Sequence, residues 1–496
     1  MNTKSFYIVF ACALLILCSI CFNGSYAYFL ATVDTSGNVA SSLTTDELND
    51  IVLTGTEIKS SSNLIPGESV STTFTVENSN KVDVCFDLLW NNVNNTFLSK
   101  NDLVVTLTKN GTEINLSNSI FPSTNDGVLT SLSIKANTTD TYKLTVTYKE
   151  TDKDQSADMK KTFSGVIVGS LKECTLAGYV LELAGTDTTN LAADDYGNVR
   201  YIGAEPNNYV SVDGDIWRII GVMKDKDDGT GNKSDRVKLI RSESIGYYSW
   251  DTSESSVNGG RGVNEWSQAK LMKLLNPGYE SESVGGSLYW NSGSGTCYNG
   301  QNNRTGSCNF ASTGIKDKLK TLISDAVWNT GSNDGKTYTY SNITTSKFYE
   351  LERSSNTGKI CSNDTSCNDT IERTTTWTGK VGLMSPSDYG YATGGGSTTD
   401  RATCLNTSLG GWDSSSVSDC KNNDWLYISA NHQWTLSSVA SSSSADTMFR
   451  VCNSGQVYYD RAYHGNEARP VVYLSPSVGI ESGDGSSENP FTLSVQ

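Results

Sequence analysis

Hydrophobic and polar residues alternate along the first third of the chain, with the two-residue period that places successive side chains on opposite faces of a β-strand. One predicted strand has five large apolar residues on the same face: Val82, Val84, Phe86, Leu88 and Trp90. The alternation returns at residues 103–107, 142–148 and 163–168. Asn110 and Gly111 follow the first of these segments and are typical of a tight hairpin turn, because both residues readily adopt positive φ.

No long amphipathic helical pattern interrupts these strands, so residues 28–170 predict an all-β antiparallel sandwich of jelly-roll type. Cys85 falls on the polar face of its strand. The pattern therefore predicts an exposed thiol there, and leaves open whether it forms an interchain disulfide or stays unpaired and unused.

The remaining residues, 171–496, have a different pattern. A strongly apolar strand at residues 216–221 leads into an acidic stretch at residues 225–231, and an apolar segment returns at residues 237–241. This order predicts a β-hairpin with a long acidic tip.

Two segments of this region have helical spacing. Asn264 is a suitable cap for a helix at residues 265–275, which the following Asn-Pro-Gly ends. A second apolar stripe consists of Ile315, Leu319, Leu322, Ile323, Ala326 and Val327. Short strands and many loops follow, so we predict an α+β, loop-rich second domain at residues 171–496.

Residues 1–27 have the parts of a secretory signal. Lys4 supplies a positive charge, residues 6–22 are almost entirely apolar, and Ser25 and Ala27 are small residues where a signal peptidase prefers them. We predict cleavage after Ala27 and a location outside the cell or on its surface. The alternative is an uncleaved membrane anchor, for which the apolar run is short.

The charge and the histidine content exclude several classes of function. Asp and Glu number 54 against 38 Lys and Arg, and the net charge of -16 argues against a nucleic-acid partner. The chain has only two histidines, His432 and His464, so histidine-ligated zinc and a histidine-based catalytic triad are excluded from residues 1–431. We predict no metal, no cofactor and no catalytic residue.

Export favours disulfides over metal or redox roles for the cysteines. Three pairs enclose short polar loops: Cys297 with Cys308, Cys361 with Cys367, and Cys404 with Cys420. A longer link, from Cys174 to Cys452, would join the start of the second domain to its end. The alternative is that Cys174 and Cys452 are small buried apolar residues.

Aromatic residues become frequent near the C-terminus, where they suit either a core or a recognition surface. We expect Trp425 and Trp434 to lie in the core. The predicted ligand-contact patch consists of Tyr459, Arg461, Tyr463 and His464.

Two alternatives involve charged residues. His464 lies near Glu467 and Arg469, a combination suited to proton transfer, but no nucleophile accompanies them, so a structural or ligand-contact role is favoured. The carboxylates at residues 225–228 offer oxygen ligands for Ca²⁺, but the glycine does not have EF-hand spacing, and a solvated hairpin tip is favoured.

Four motifs in the first third carry a resemblance to a known family: AYF at residues 27–29, VDTSGN at 33–38, IPGESV at 65–70 and TFTVEN at 73–78. With these motifs the region 1–170 resembles the TasA and camelysin family of secreted bacterial β-sandwich proteins. Some members build biofilm fibres, and camelysin is described as a surface metalloprotease. Because this region lacks histidine and HExxH, the resemblance implies the matrix role.

The rest of the chain resembles a surface domain of gut Firmicutes that has no assigned function. The motifs are NYVS at residues 208–211, IWRIIGV at 216–222, KVGLMSPSDYGY at 380–391, DWL at 424–426, RPVVYL at 469–474 and GDG at 483–485. Arg-Pro-Val before a last strand is similar to the formylglycine-generating branch of the C-type-lectin fold. That fold hosts enzymes and binding proteins alike, so it leaves the function open.

Together these observations predict a secreted or surface structural and adhesive protein. The first domain would assemble, as a homo-oligomer or a fibre, or display the second, which would bind a glycan or a surface protein. A membrane would be contacted only through an uncleaved signal. The alternative is a secreted metal-dependent hydrolase or a formylglycine-type oxidase.

Overall fold

The chain is described from a computed structural model. The described residues are 51–496, without 55, 80–83, 115, 117, 126–127, 136, 173–174, 360–368, 442–444 and 496. The predicted signal, residues 1–27, lies outside them. The chain divides into an N-terminal unit, Met1–Cys174, and a C-terminal unit, Thr175–Gln496.

The described strands of the N-terminal unit form two antiparallel sheets. They are β1 (Ile51–Thr54), β2 (Glu57–Lys59), β3 (Ser69–Asn78), β4 (Val84–Asn95), β5 (Leu103–Lys109), β6 (Thr112–Ile114), β7 (Val128–Ile134), β8 (Thr138–Tyr148) and β9 (Phe163–Lys172). One sheet has the order β1-β3-β8-β5-β6 and the other has the order β2-β9-β4-β7. Short 3-10 helices lie at Lys100–Asp102 and Ser156–Asp158.

Side chains of both sheets meet in one hydrophobic core, which gives the unit a sandwich-like arrangement. The ring of Phe97 lies 5.0 Å from that of Tyr148 on β8 and 6.3 Å from that of Phe163 on β9. The predicted alternation is confirmed at Val84, Phe86, Leu88 and Trp90, all of which are buried. The predicted turn is confirmed as well, with φ of 49° at Asn110 and 88° at Gly111.

Cys85 corrects one prediction in this unit. It is only 5% exposed and it is disulfide-bonded, so the expectation of an exposed thiol is wrong. Alternation shows which residues share a face of a strand, but it does not show whether another part of the chain covers that face.

The C-terminal unit contains strands, α-helices and short 3-10 helices. Its strands are β10 (Leu191–Ala193), β11 (Val199–Tyr201), β12 (Tyr209–Val212), β13 (Asp215–Asp227), β14 (Lys233–Arg241), β15 (Tyr247–Ser249), β16 (Ser294–Gly300), β17 (Arg304–Asn309), β18 (Ala326–Asn329), β19 (Thr376–Gly379), β20 (Val381–Gly382), β21 (Gln433–Ser438), β22 (Thr447–Val451), β23 (Val457–Arg461), β24 (Gly465–Glu467), β25 (Val471–Tyr473), β26 (Val478–Ser482) and β27 (Thr492–Val495). Its α-helices are α1 (Leu176–Leu183), α2 (Lys270–Leu275), α3 (Asp317–Leu322), α4 (Thr345–Glu352), α5 (Pro386–Ala392), α6 (Arg401–Asn406) and α7 (Ser418–Asn422). Short 3-10 helices lie at Asn258–Gly260, Trp266–Gln268, Leu409–Gly411 and Ser415–Val417.

The strands of this unit form a central sheet, a second sheet and several hairpins. The central sheet has the order β10-β11-β13-β14-β25-β20, with β12 also paired to β13. The second sheet has the order β15-β24-β21-β22-β23, and β16-β17, β18-β19 and β26-β27 form separate pairs. The parts share one hydrophobic core, which includes Trp425 and Trp434 as the sequence predicts.

Both predicted helices are shorter in the structure. The segment 265–275 is a 3-10 turn followed by α2, and the side chain of Asn264 does not cap it but donates to the carbonyls of Val439 and Thr447. The second stripe forms only α3, and its last residues form β18, paired with β19. Its residues are largely buried in either form, so their spacing alone could not distinguish a helix from a buried strand.

A buried cluster of charges joins α5 to the central sheet. Asp388 of α5 accepts hydrogen bonds from Nη1 of Arg200 on β11 (2.8 Å) and from Nζ of Lys238 on β14 (2.5 Å). Nε of Arg200 also donates to Asp194 at 2.9 Å. Burial raises the pKa of Asp388, but the charges of Lys238 and Arg200 lower it by more. The pKa of Asp388 therefore lies well below its usual range. The carboxylate is therefore ionised and fully engaged at neutral pH.

Replacing Asp388 by Asn removes the only negative charge that Arg200 and Lys238 share. We expect D388N to lower the free energy of unfolding of the C-terminal unit by about 3–5 kcal/mol, as is usual when a buried ion pair loses one partner. Urea denaturation followed by tryptophan fluorescence measures it. E481Q, in an exposed pair with Lys318, is the control, with an expected change below about 1 kcal/mol. Equal stability of D388N and the wild type would contradict the prediction.

Asp251 offers a test of pH dependence. Its carboxylate is buried and accepts hydrogen bonds from the backbone of Val263 (2.7 Å) and of Lys270 (3.1 Å), the first residue of α2. Burial raises its pKa to about 6. The folded state therefore holds this proton to higher pH than the unfolded state does, so this contribution to stability is present below about pH 4 and is lost as the pH rises to about 6.

We compare the free energy of unfolding of the wild type with that of D251N. We expect the wild-type value minus the D251N value to fall by roughly 3 kcal/mol between pH 4 and pH 7. Denaturation of both proteins across this range measures the difference, in which the other titrating groups cancel. A difference that is constant with pH would show that Asp251 is ionised at an ordinary pKa.

Candidate functional site

The predicted patch lies on and after the hairpin of β22 and β23. Tyr459 is on β23, Arg461 ends that strand, and Tyr463 and His464 follow in the turn before β24. The structure does not form them into one continuous aromatic surface. It places them in two neighbouring groups along the chain, which have different contacts.

The first group is an aromatic cluster, here called the tyrosine cluster, made of Tyr340, Tyr458 and Tyr459. The rings of Tyr458 and Tyr459 stack with their centres 4.5 Å apart, and Tyr340 meets them edge-on at 4.5 Å and 5.1 Å. Tyr458 and Tyr459 are half-buried. The rings are thus held rigidly and still reach the surface.

The second group centres on Asp460. Nδ1 of His464 lies 2.6 Å from its Oδ1, and Nδ2 of Asn466 donates to its Oδ2 at 3.1 Å. Arg450 also donates to Oδ2. Burial raises the pKa of Asp460, but these hydrogen bonds and the Arg450 charge lower it by more, so the carboxyl stays ionised. His464 is half exposed, with its ring edge-to-face against Tyr463 at 4.5 Å.

Arg461 has a structural partner. Its Nη1 donates to Oδ1 of Asp446 at 2.6 Å, and Asp446 is completely buried. Its guanidinium is therefore anchored, with about a third of the side chain exposed (35%). A ligand on this surface meets an oriented cation rather than a flexible one.

The alternative of proton transfer by His464 with Glu467 and Arg469 finds no support in the contacts. Glu467 accepts a hydrogen bond from Asn431 at 2.7 Å, and Arg469 donates to the carbonyl of Arg241 and to Gln433. Both side chains are buried and serve the packing of the second sheet.

His432, the other histidine, lies at the start of the second sheet. Its Nδ1 accepts a hydrogen bond from the backbone of Asn453 at 3.3 Å. Burial lowers its pKa, and the nearby charge of Arg450 lowers it further. The imidazole is therefore neutral at physiological pH.

The cysteines agree with the predictions in part. Disulfides join Cys297 to Cys308 and Cys404 to Cys420. Cys361 and Cys367 lie outside the described residues. Cys452 is buried and carries a free thiol, so its predicted link to Cys174 is wrong. Cys452 sits in a tight turn at the end of β22, where its N–H donates to the carbonyl of Gln456 and its side chain faces inward.

The acidic hairpin tip is held by its own carboxylates. Oδ1 of Asp227 accepts hydrogen bonds from the backbone of Gly229 and Gly231, and Oδ1 of Asp228 accepts from Thr230. No group of three or more His, Cys, Asp or Glu side chains is suitably placed for a metal ion in the part of the chain that the structure describes. No described helix is long and apolar enough to cross a membrane.

A cleft that the sequence pattern does not predict lies beside the acidic hairpin. The cleft has a volume of about 250 Å³ and is lined by Asn198, Met223, Lys224, Asp225, Lys226, Asp227, Lys233, Val327, Asn329, Tyr349, Arg353 and Tyr473. Lys226 was predicted to be part of the solvated tip, but it is only 8% exposed. The pairing of β13 with β14 shifts register between Met223 and Lys226, and Asp225 has a φ of 48°. This bulge turns Lys226 inward.

Three cationic side chains lie near the floor of the cleft. Nζ of Lys226 lies 4.8 Å from the centre of the Tyr473 ring, and Nζ of Lys238 lies 5.5 Å from it. The guanidinium of Arg353 lies against the ring of Tyr349 at 3.3 Å. A signal in the sequence for this cleft would have been the lysine between two acidic residues at the end of an apolar strand, but its burial depends on the bulge.

No protein-family model matches this chain, and a search of curated proteins finds no match to it either. The functional argument therefore rests on the geometry of the tyrosine cluster and of the cleft.

The environment of Cys452 predicts a protected thiol. Burial raises its pKa more than Arg450 lowers it, and a buried neutral thiol reacts slowly. We expect iodoacetamide to leave Cys452 unlabelled in the folded protein and to label it fully in denaturant, as measured by peptide mass spectrometry. The variant T230C, at the exposed hairpin tip, is the control that labels in both states. Equal labelling of Cys452 in both states would contradict its burial.

Proposed function

We propose that this chain is a secreted or cell-surface structural and adhesive protein whose C-terminal unit binds a glycan. The observation that carries the proposal is the tyrosine cluster, in which stacked rings reach the surface from a rigid hairpin. Flat aromatic faces fixed on a scaffold offer apolar contact and a polar hydroxyl at low cost in side-chain entropy. The two disulfides among the described residues of this unit are typical of proteins outside the cell.

For the N-terminal unit we propose the jelly-roll topology and a role in assembly or display. The strand order supports the topology, because β2-β9-β4-β7 against β3-β8-β5-β6 is the order of an eight-stranded double Greek key, with β1 added beside β3. The resemblance to the TasA and camelysin family supports an assembly role. In this role the segment after Ala27 would pair with a sheet edge of a neighbouring copy through backbone hydrogen bonds.

The lectin-like assignment of the C-terminal unit is also part of the proposal. The motifs that carry the resemblance, at residues 216–222 and 469–474, contribute β13 and β25, the two neighbours of β14 in the central sheet. They belong to the scaffold, so they support the fold and leave the ligand to the loops and to the second sheet.

The experiment is a glycan array followed by calorimetry on the mature protein, residues 28–496. We expect Y459A to weaken binding of the best glycan at least tenfold, the equivalent of about 1.4 kcal/mol, with a similar loss for Y458A. The matched control is Y247A, because Tyr247 is 52% exposed and lies on β15 at the opposite edge of the same sheet.

The outcomes distinguish adhesion from catalysis. Binding that Y459A leaves unchanged, or an array with no bound glycan, contradicts the proposal. Metal analysis of the same sample tests the alternative, since stoichiometric zinc or copper would favour the secreted hydrolase or oxidase.

A further inference from the structure

The cleft beside the acidic hairpin contains a buried cation without a counter-ion. The side chain of Lys226 is more than nine-tenths buried, and it forms no ion pair with a described carboxylate. It lines the cleft and points to the ring of Tyr473. Burying an unpaired ammonium is costly, and proteins ordinarily neutralise such a group with a partner.

The surrounding charges do not supply that partner. Arg200 and Lys238 share Asp388, and Arg200 also binds Asp194. Arg353, at the edge of the cleft, pairs with Glu352 at 3.3 Å. The network of Arg200, Lys238, Asp194 and Asp388 is therefore balanced, with two cations against two carboxylates. Lys226 adds a positive charge that no described carboxylate within ion-pair distance offsets.

The charges at the mouth of the cleft cancel. Lys224 and Lys233 balance Asp225 and Asp227. Burial lowers the pKa of Lys226, and Lys238 and Arg353 lower it further, although Tyr473 opposes this. Burial raises the pKa of Tyr473, but Lys226 and Lys238 together lower it below its ordinary value. With the charges at the mouth balanced, the unpaired Lys226 leaves a positive charge at the floor of the cleft, which attracts an anion.

The size and the lining of the cleft define the ligand further. Its volume of about 250 Å³ corresponds to about eight water molecules at ~30 Å³ each, which suits one small molecule. The lining is mainly polar: Lys226 and Arg353 can only donate hydrogen bonds, and Asn329 can both donate and accept them. Such groups can bind hydroxyls as well as a carboxylate. A carboxylate on a hydroxylated ring of monosaccharide size matches the charge, the polar lining and the volume of the cleft.

We propose that this cleft is a binding site for a sugar acid of the uronic acid class, with the carboxylate of the ligand paired to Lys226. The site shares no residue with the tyrosine cluster, and it stands whether or not that cluster binds a glycan. The sugar acid has two sources, a free monosaccharide or the terminal residue of an acidic glycan, and both present the same carboxylate.

The test is calorimetric titration of the mature protein with D-glucuronate, with glucose as the neutral sugar of the same ring and acetate as the bare carboxylate. We expect glucuronate to bind and glucose and acetate to bind at least about tenfold more weakly. K226M keeps an unbranched side chain of nearly the same length and removes its charge, and we expect it to weaken glucuronate binding at least about 30-fold. Titration with a glucuronate-terminated oligosaccharide distinguishes the sources, since tighter binding than glucuronate identifies the glycan.

The matched control is K336M, which removes the same charge from an exposed lysine that does not line the cleft. We expect it to change the affinity less than about threefold. Thermal unfolding establishes that K226M is folded, and we expect its melting temperature to equal or exceed that of the wild type, because the variant removes an unpaired buried charge. Y459A should bind glucuronate as the wild type does. Equal binding of glucose and glucuronate, no glucuronate binding, or equal losses in K226M and K336M would overturn the proposal.

Discussion

Arg200 and Lys238 lie in the interior of the C-terminal unit, on two strands of the central sheet, and one carboxylate binds both of them. Asp388 also accepts a hydrogen bond from the backbone of Ser385 at 2.8 Å, which fixes the first turn of α5. A single side chain thus links β11, β14 and α5. Because leaving either buried cation without its partner is costly, alternative packings of these elements are disfavoured.

This arrangement also determines where the cleft forms. Lys238 is held by Asp388, and it is paired with Tyr473 of the neighbouring strand, whose ring lies beside Lys226. The cleft is therefore built on paired strands rather than on a mobile loop. Such a site loses little entropy when it binds a ligand, which is the basis of preorganisation.

The sequence predicted the features that depend on local pattern. Alternation located the strands of the N-terminal unit, Asn110-Gly111 marked its hairpin turn, and short spacing identified the pairs Cys297–Cys308 and Cys404–Cys420. The same reasoning failed where burial comes from distant parts of the chain. Cys85 is covered on a face that its strand pattern marks as polar, and residues 326–329 pair with a strand some fifty residues later.

Lys226 shows why a candidate site is harder to predict than a fold. Its neighbours Asp225 and Asp227 made it look like one charge in a solvated turn, and only a shift in strand register separates that position from the interior. A bulge has a weak sequence signature, because it depends on the fit between two strands. The chemistry proposed for the cleft therefore follows from a geometric irregularity. Lys226 is turned inward beside a balanced network of charges, and its own charge is the one that the proposed ligand would neutralise.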